Sequence, residues 1–481
     1  MPKHVVILGA GPAGSSAAEA LTREGAQVDV LEMEPIVGGL CRSTQRNGFI
    51  FDLGGHRFIT KDDLLLAEIE ELMGDELIVR PRKSVIRLQE RFFNYPLEFL
   101  DAFKKLPLKV SFKSAFDFLL TWTGTYKNLS DSTFENWIIK RFGKTMYNIY
   151  FGPYSYKLWG IPPTEISSKW AAQRISLSNI TEVFLRALGK KKNMPKTYAT
   201  NFLYPKKGIG QIFERMAEEI QKNNGRIHLN AKVEKIVLKN EKIDYIVYSQ
   251  DGKQKKISAD FVVSTIPLPE FVLSIEPKPK DVYLDVARTM NFRCIKFLHI
   301  MLNKEIVTDN TWIYFPEEKF TFFRIQDRRN WSPTAVPASK NAITLEIACS
   351  KNDDMWLAPE EEIFSRCIAQ LEELGLARRS EVIDYFFEKI EHAYPIYTLD
   401  YEEKVRIAYR AISKIKDFIA IGRQGLFRYN NMDHSLKMGY LTAKHILHGY
   451  PRQRILEIAT EDIIFDWQDP GYHDGHVHVI E

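Results

Sequence analysis

From residue 4 to residue 10 the chain is a short apolar run rich in valine and isoleucine that glycines then interrupt, and from about Pro12 to Glu24 small apolar residues recur at helical spacing. That pattern predicts strand, turn and helix. A second short apolar strand runs from Gln27 to Glu32 behind the stop at Gly25, completing a βαβ unit that opens a parallel sheet. Between about Leu97 and Lys191 the period turns helical and aromatic, with breaks at Gly152, Pro153, Pro162 and Pro163, and predicts a helical insert.

Sheet signals return after residue 201. QIFERMAEEIQKN reads as helix, whereas RIHLN, KVEKIVL, KIDYIVYS and ADFVVSTI read as strands that resume the first sheet. The β-branched and aromatic runs CIKFLHIML, TWIYFP, TFFRI and AITLEIA, separated by turns, predict a second, antiparallel sheet. DFIAIG, a glycine-containing loop and HSLKMGYLTAKHILHG form a last strand, turn and helix suited to the first layer. The expected fold is α/β. A discontinuous nucleotide-binding domain takes 1–96, 201–275 and 401–465, a helical insert 97–200, an antiparallel-sheet substrate domain 276–400 and a tail 466–481.

With 45% hydrophobic and 27% charged positions over 481 residues, the chain is neither disordered, collagenous nor coiled coil. Its 66 basic and 62 acidic residues leave +4, which gives no case for nucleic acid; a small molecule is the expected partner. Cys41, Cys294, Cys349 and Cys367 show neither metal spacing nor a disulfide pattern, which fits a reducing compartment and a cytoplasmic location. The N-terminal apolar run is too short for a signal-peptide core, and no stretch reaches the roughly 18 uninterrupted apolar residues of a spanning helix.

Lys104, Lys105, Lys109 and Lys113 alternate with Phe103, Leu106, Phe112, Phe116 and Leu119. This reads as an ordinary helix with one face in the core rather than as a helix lying on a membrane. His473, His476 and His478 in the tail lack regular ligand spacing, so no metal site is read.

Candidate chemistry begins at the first turn. Gly9, Gly11 and Gly14 form G-x-G-x-x-G between strand and helix, where the backbone must turn tightly and let a pyrophosphate approach the helix N-terminus. Glu32 ends the second strand, placed to accept hydrogen bonds from a ribose 2′-hydroxyl, which also disfavours NADP there. Dinucleotide binding follows from the whole unit.

Two glycine pairs narrow the dinucleotide to FAD. Gly38 and Gly39 in PIVGGLCRS and Gly54 and Gly55 in FDLGGHRF resemble the FAD domain of glutathione-reductase-like flavoproteins, in the branch of amine oxidases, phytoene desaturases and UDP-galactopyranose mutases. FDLGGHRF, RFFNYPL, GPYSYKLWGIPP, AAQRISLSN, WIYFP, FFRIQDRRNWSP, AYPIYTL and GRQGLFRYNNMDHS are similar, in the same order, to segments of the mutases, from residue 4 to about 450.

The resemblance implies a flavin-dependent sugar-nucleotide mutase. Reduced FAD would attack the anomeric carbon through N5, forming a flavin–sugar adduct, and the sugar would reclose in the furanose or pyranose form, a step in cell-surface glycan biosynthesis. NADPH or NADH is a plausible external reductant, although no second dinucleotide motif is present. Arg174 and Arg324 match arginines that clamp the substrate diphosphate, as permanently charged guanidinium forks can. His56 matches the histidine facing the flavin, and Val233 the residue whose backbone amide meets the adenine. Tyr314, Tyr394 and Tyr429 match tyrosines that reach the diphosphate, and Trp159 an aromatic of the uridine and sugar region. Arg423, after Gly422, stands where related flavoproteins carry an acid, and Asn431 continues the substrate set. Asp433 and His434 open the last helix, whose amides would stabilise an anionic reduced ring.

Three departures touch the sugar or base pocket. Ser155 stands where the mutases have asparagine, the YNNMD loop is shorter, and HRFITK carries a bulky Arg57 with no second histidine. The alternative function is an FAD-dependent oxidoreductase of amine-oxidase or protoporphyrinogen-oxidase type.

Overall fold

Val5 to Leu8 are wholly buried because the strand His4–Leu8 lies at the centre of a parallel sheet, where both faces are covered. The structure, a computed structural model, describes residues 3–95, 104–174 and 201–458, the side chains of 172–174 excepted. In the five-stranded sheet the order is Phe418–Ala420, Phe261–Ser264, His4–Leu8, Gln27–Leu31 and Arg226–His228, every pair parallel. The helix Pro12–Arg23 crosses the helix Met432–His448 so closely that a Cβ on Gly439 would lie 2.0 Å from Ser16 Oγ. That crossing sets the start of the second helix beside the glycine loop.

The strands Ala231–Lys239 and Lys242–Gln250 do not resume this sheet as the sequence pattern predicts. They pair with each other across a tight turn in which Asn240 and Glu241 both have positive φ, and with Lys253–Ile257 and Ile275–Glu276 complete a separate four-stranded sheet. A turn of that kind matches the twist of its own hairpin, so the local partner wins.

The second expected sheet is present and larger. Its order is Val382–Pro395, Phe292–Leu302, Asn341–Cys349, Arg324–Asp327, Trp312–Tyr314, Ser84–Leu88 and Arg91–Asn94. The last two strands fall within the first nucleotide-binding segment by sequence yet join this sheet, through the parallel pairing of Ser84–Leu88 with Trp312–Tyr314. Leu298, Ile300, Leu345 and Ile347 on one face pack against Ile363, Cys367 and Leu371 of the helix Glu360–Glu373. Phe297, on the other face, reaches Gly54.

The helical insert contains Leu108–Trp122, Phe134–Met146, Gly152–Trp159 and Ser168–Arg174. Its first helix corrects an expectation. Ser111 and Ser114 are buried, whereas Leu108, Phe112, Phe116, Leu119 and Trp122 are 53–74% exposed. The reason is close approach: a Cβ on Gly143 of the neighbouring helix would stand 2.9 Å from Asp117 Cβ, and only small side chains fit such a contact. No helix among the described residues is long and apolar enough to cross a membrane.

Candidate functional site

The glycine loop is fixed by backbone geometry. Gly9 has a φ of 99°, and its amide donates to Leu31 O at 2.8 Å. A Cβ on Gly14 would lie 1.9 Å from Gly9 O, so the helix can start against the strand only without a side chain there. Gly11 differs, since its Cβ would meet nothing nearer than Gly39 Cα at 3.9 Å. Glu32 closes the cradle: one oxygen accepts from Ala10 N at 2.7 Å, the other from Glu34 N at 2.9 Å. Burial raises its carboxyl above the ordinary range, against the pull of those two amides. Glu32 O also accepts from Ala231 N, which places Val233 two residues further along the same strand.

The second glycine pair lies against the seven-stranded sheet. Gly54 lies under Phe297 and Glu346, and a Cβ on Gly55 would lie 2.3 Å from the Trp312 ring. Just before them Asp52, fully buried, pairs at 3.0 Å with the equally buried Arg328 of the second domain and accepts from Ser43 Oγ at 2.6 Å. His56 follows the glycines. Its Nε2 donates to Leu53 O at 2.9 Å, and burial, with the nearby Arg423 cation, pushes its pKa down to about 4. The imidazole is neutral at pH 7, and its Nδ1 can accept a proton or a hydrogen bond.

Arginines and tyrosines form the facing wall. Arg324 lies opposite Tyr314 in one strand register and opposite Glu346 in the other. Its Nε and Nη2 donate to the Glu346 carboxylate at 2.6 Å each, and its plane lies 4.8 Å from the Trp312 ring centre. Tyr314 stacks on Tyr95 at 4.5 Å. Across the site Arg423 lies over Tyr429 at 4.5 Å and Tyr394 at 5.5 Å, while its guanidinium donates to Asn430 O at 2.6 Å. Tyr394 and Tyr429 stack on each other.

The model of the family described as flavin containing amine oxidoreductase matches residues 12–399. The chain belongs to that family. Among solved structures, a reduced UDP-galactopyranose mutase superposes with a TM-score of 0.83 at 21% identity, over 96% of each chain. A putative protoporphyrinogen oxidase from Exiguobacterium sp. 255-15 gives 0.68 at 15% identity, covering 93% of this chain and 99% of that one. A 4,4'-diapophytoene desaturase from Methylomonas sp. is 21% identical over 73% of this chain and 74% of its own length. A probable UDP-galactopyranose mutase from Klebsiella pneumoniae is 24% identical over 34% of this chain and 43% of its own. A phytoene desaturase from Phycomyces blakesleeanus and L-amino acid oxidases from Crotalus durissus match more closely, at 47–50% identity, but over only 9–12% of their own lengths. At these identities the likeness to the solved structures is one of fold.

The flavin family's FAD fits the residues present. The open surface at Gly11, the close packing of Gly39, on which a Cβ would lie 3.0 Å from Gly11 Cα, and the carboxylate of Glu32 leave the helix N-terminus bare where a pyrophosphate would lie. Gly38, with a φ of 104°, donates to Ala10 O at 2.8 Å and holds the second glycine pair against the first. Gly422, with a φ of 80°, would bring a Cβ 3.1 Å from Ala13, so it too presses on this helix. Asp433 and His434 are buried in the first turn of Met432–His448.

The remaining sequence-chosen residues divide. Tyr314, Tyr394, Tyr429, Arg324, Arg423 and His56 lie together, each close enough to another of the set to feel its charge. Trp159 is 2% exposed and stands edge-on behind Tyr394 and Trp170, so it backs the tyrosine wall. Asn431 caps the helix Met432–His448, its side chain accepting from the backbone of that first turn. Arg174 ends the helix Ser168–Arg174, and its side chain lies outside the described residues, as do the tail histidines. Sequence reasoning passed over Trp312 and Glu346, and took Arg57 only as a departure; the signal available was a cation directly after the histidine.

Proposed function

We propose that the protein is a flavin-dependent mutase that interconverts the pyranose and furanose forms of a nucleotide sugar. The observation that carries this reading is the wall opposite the glycine loop, where Arg324 and Tyr314 on one side and Arg423, Tyr394 and Tyr429 on the other surround the neutral His56. Permanent cations and phenol donors suit a nucleoside diphosphate, whereas an apolar hydride donor needs neither. The likeness to a reduced UDP-galactopyranose mutase over nearly the whole chain supports the same reading.

In this reading Gly9, Gly11 and Gly14 receive the FAD pyrophosphate, Glu32 the ribose hydroxyls, and the Val233 amide the adenine. Gly38, Gly39, Gly54, Gly55 and Gly422 let the backbone close on the cofactor, and the helix opened by Asp433 and His434 points its N-terminal amides at the ring. When bound and reduced, by NADH or NADPH, FAD supplies the nucleophile for exchange at the anomeric carbon. Arg324 and Arg174 hold the diphosphate in the substrate and after it departs, keeping it at hand for the return. His56 accepts through Nδ1 from a sugar hydroxyl. Trp159 and Arg423 set the tyrosines in place, and Asn431 caps the helix that follows Tyr429.

The test is anaerobic reduction of the purified flavoprotein, incubation with a panel of nucleotide sugars and chromatography beside an oxidised control. New ring isomers should form only in the reduced sample. No isomer from any sugar would refute the reading. The family match over residues 12–399 favours a second reading, an FAD-dependent oxidoreductase of amine-oxidase or protoporphyrinogen-oxidase type. There the substrate itself would bleach oxidised flavin, and that absorbance change separates the two.

A further inference from the structure

Arg57 is a largely buried cation with no acid partner among the described residues. Its guanidinium stacks 3.9 Å from the Trp312 ring centre and lies within 5.0 Å of Phe202 and 5.5 Å of Trp331. Its polar partners are neutral: Nη2 donates to Ser84 Oγ at 2.8 Å and reaches Thr311 Oγ1 at 3.5 Å. The groups whose charge it feels are Arg82, Tyr314, Tyr95 and Arg324, again no carboxylate. Burial and Arg82 together pull its pKa down to about 9, the mark of a cation held where its charge is opposed.

The same corner holds a surplus of donors. Arg57 Nε, Arg82 Nε and Trp312 Nε1 are buried with no acceptor among the described residues. Buried donors are normally satisfied, so three together need an explanation. The neighbouring Arg324 cannot share its neutraliser, because Glu346 is engaged by Arg324 and by Gln326 Nε2 at 2.7 Å. The corner therefore has two positive charges and several unmet donors, and among the described residues it lacks an acceptor bearing negative charge.

We propose that Arg57 and Arg82, beside Trp312, form an oxyanion subsite that takes a phosphoryl or carboxylate group of the substrate. This deepens the mutase reading and rests on it for the identity of the molecule that carries the group. Arg57 then supplies the unneutralised fork that Arg324 has given up to Glu346, and a substrate without an anion at that position is selected against.

The experiment measures binding of inorganic pyrophosphate, UDP and glucuronate to the oxidised FAD-loaded protein by calorimetry. The proteins compared are wild type, Arg57→Gln, Arg57→Lys and Arg82→Gln. At least one probe should bind wild type, weaken roughly ten- to a hundred-fold in Arg57→Gln, and recover in part in Arg57→Lys. Loss confined to pyrophosphate and UDP assigns the site to a phosphoryl group, and loss confined to glucuronate to a carboxylate. If Arg57→Gln does not retain FAD, Arg82→Gln decides by the same criterion. Equal binding by wild type and a folded glutamine variant, or no binding of any probe to wild type, overturns the proposal. Arginine-dependent binding without ring isomers from the reduced enzyme would refute the mutase reading and leave the subsite standing. Ring isomers formed by Arg57→Gln with wild-type KM would do the reverse.

Discussion

Arg324 and Glu346 face each other from adjacent antiparallel strands, and the arginine's Nε and Nη2 donate in parallel to a carboxylate that has no solvent exposure. The pair is neutral, and it anchors the arginine that the substrate reading uses. Removing the negative partner leaves a buried cation behind, which costs far more than the pair contributes. Glu346→Gln keeps the shape and should lower unfolding stability by about 3 kcal/mol, read by urea denaturation of the flavin-loaded protein. An unchanged midpoint would show that the carboxylate is not what neutralises Arg324.

Glu19 gives a pH signature unrelated to the site. It is 6% exposed in the helix Pro12–Arg23, and burial, opposed by Arg23, raises its pKa from 4.5 to about 7. Between those values the folded protein binds the proton that the unfolded chain has released, so stability falls as pH rises through that window. The loss is complete above pH 7 and amounts to about 3 kcal/mol. Glu19→Gln should remove this slope and melt higher than wild type at pH 8 while matching it near pH 4.5. Parallel melting curves at both pH values would disprove the assignment.

Much of this was legible in the residues and some of it could not be. The βαβ unit announces itself because Gly9, Gly11, Gly14 and Glu32 are close in sequence, and the strand around Phe297 does so because a run so rich in isoleucine, leucine and phenylalanine has few other uses. Strand pairing is another matter. The pattern in Ser84–Leu88 shows a strand but not that Trp312–Tyr314 will be its partner. Charge compensation is equally silent: Asp52 and Arg328 lie far apart in the chain, and only the folded structure makes them one buried pair. The same holds for Arg57, whose want of an acid among the described residues is visible only in the fold.

Period without direction explains the helix Leu108–Trp122. Spacing shows that Leu108, Phe112, Phe116 and Leu119 share a face, and hydrophobicity suggests that it points inward; the close contact of Asp117 with Gly143 and the burial of Ser111 and Ser114 turn it outward instead. Phe116→Ser and Leu119→Ser should therefore each change unfolding stability by no more than about 0.5 kcal/mol, the range of ordinary surface substitutions. A loss of about 3 kcal/mol in either, as a core truncation gives, would place the face inside.

Gly11 and Gly14 separate folding from cofactor binding within one loop. Alanine at Gly14 would drive a methyl to 1.9 Å from Gly9 O, a contact that backbone cannot relieve without moving the helix from the strand. Alanine at Gly11 meets no such obstacle: φ is −74°, ψ is −178°, and the nearest atom is 3.9 Å away. The free space there is what a pyrophosphate would occupy, so the methyl competes with ligand and not with protein. Gly14→Ala should be recovered unfolded or with a much lowered melting temperature. Gly11→Ala should melt, as apoprotein, within a few degrees of wild-type apoprotein, yet be purified with little bound flavin by its visible absorbance. Full flavin content in a folded Gly11→Ala variant would mean that the dinucleotide does not pass over this loop.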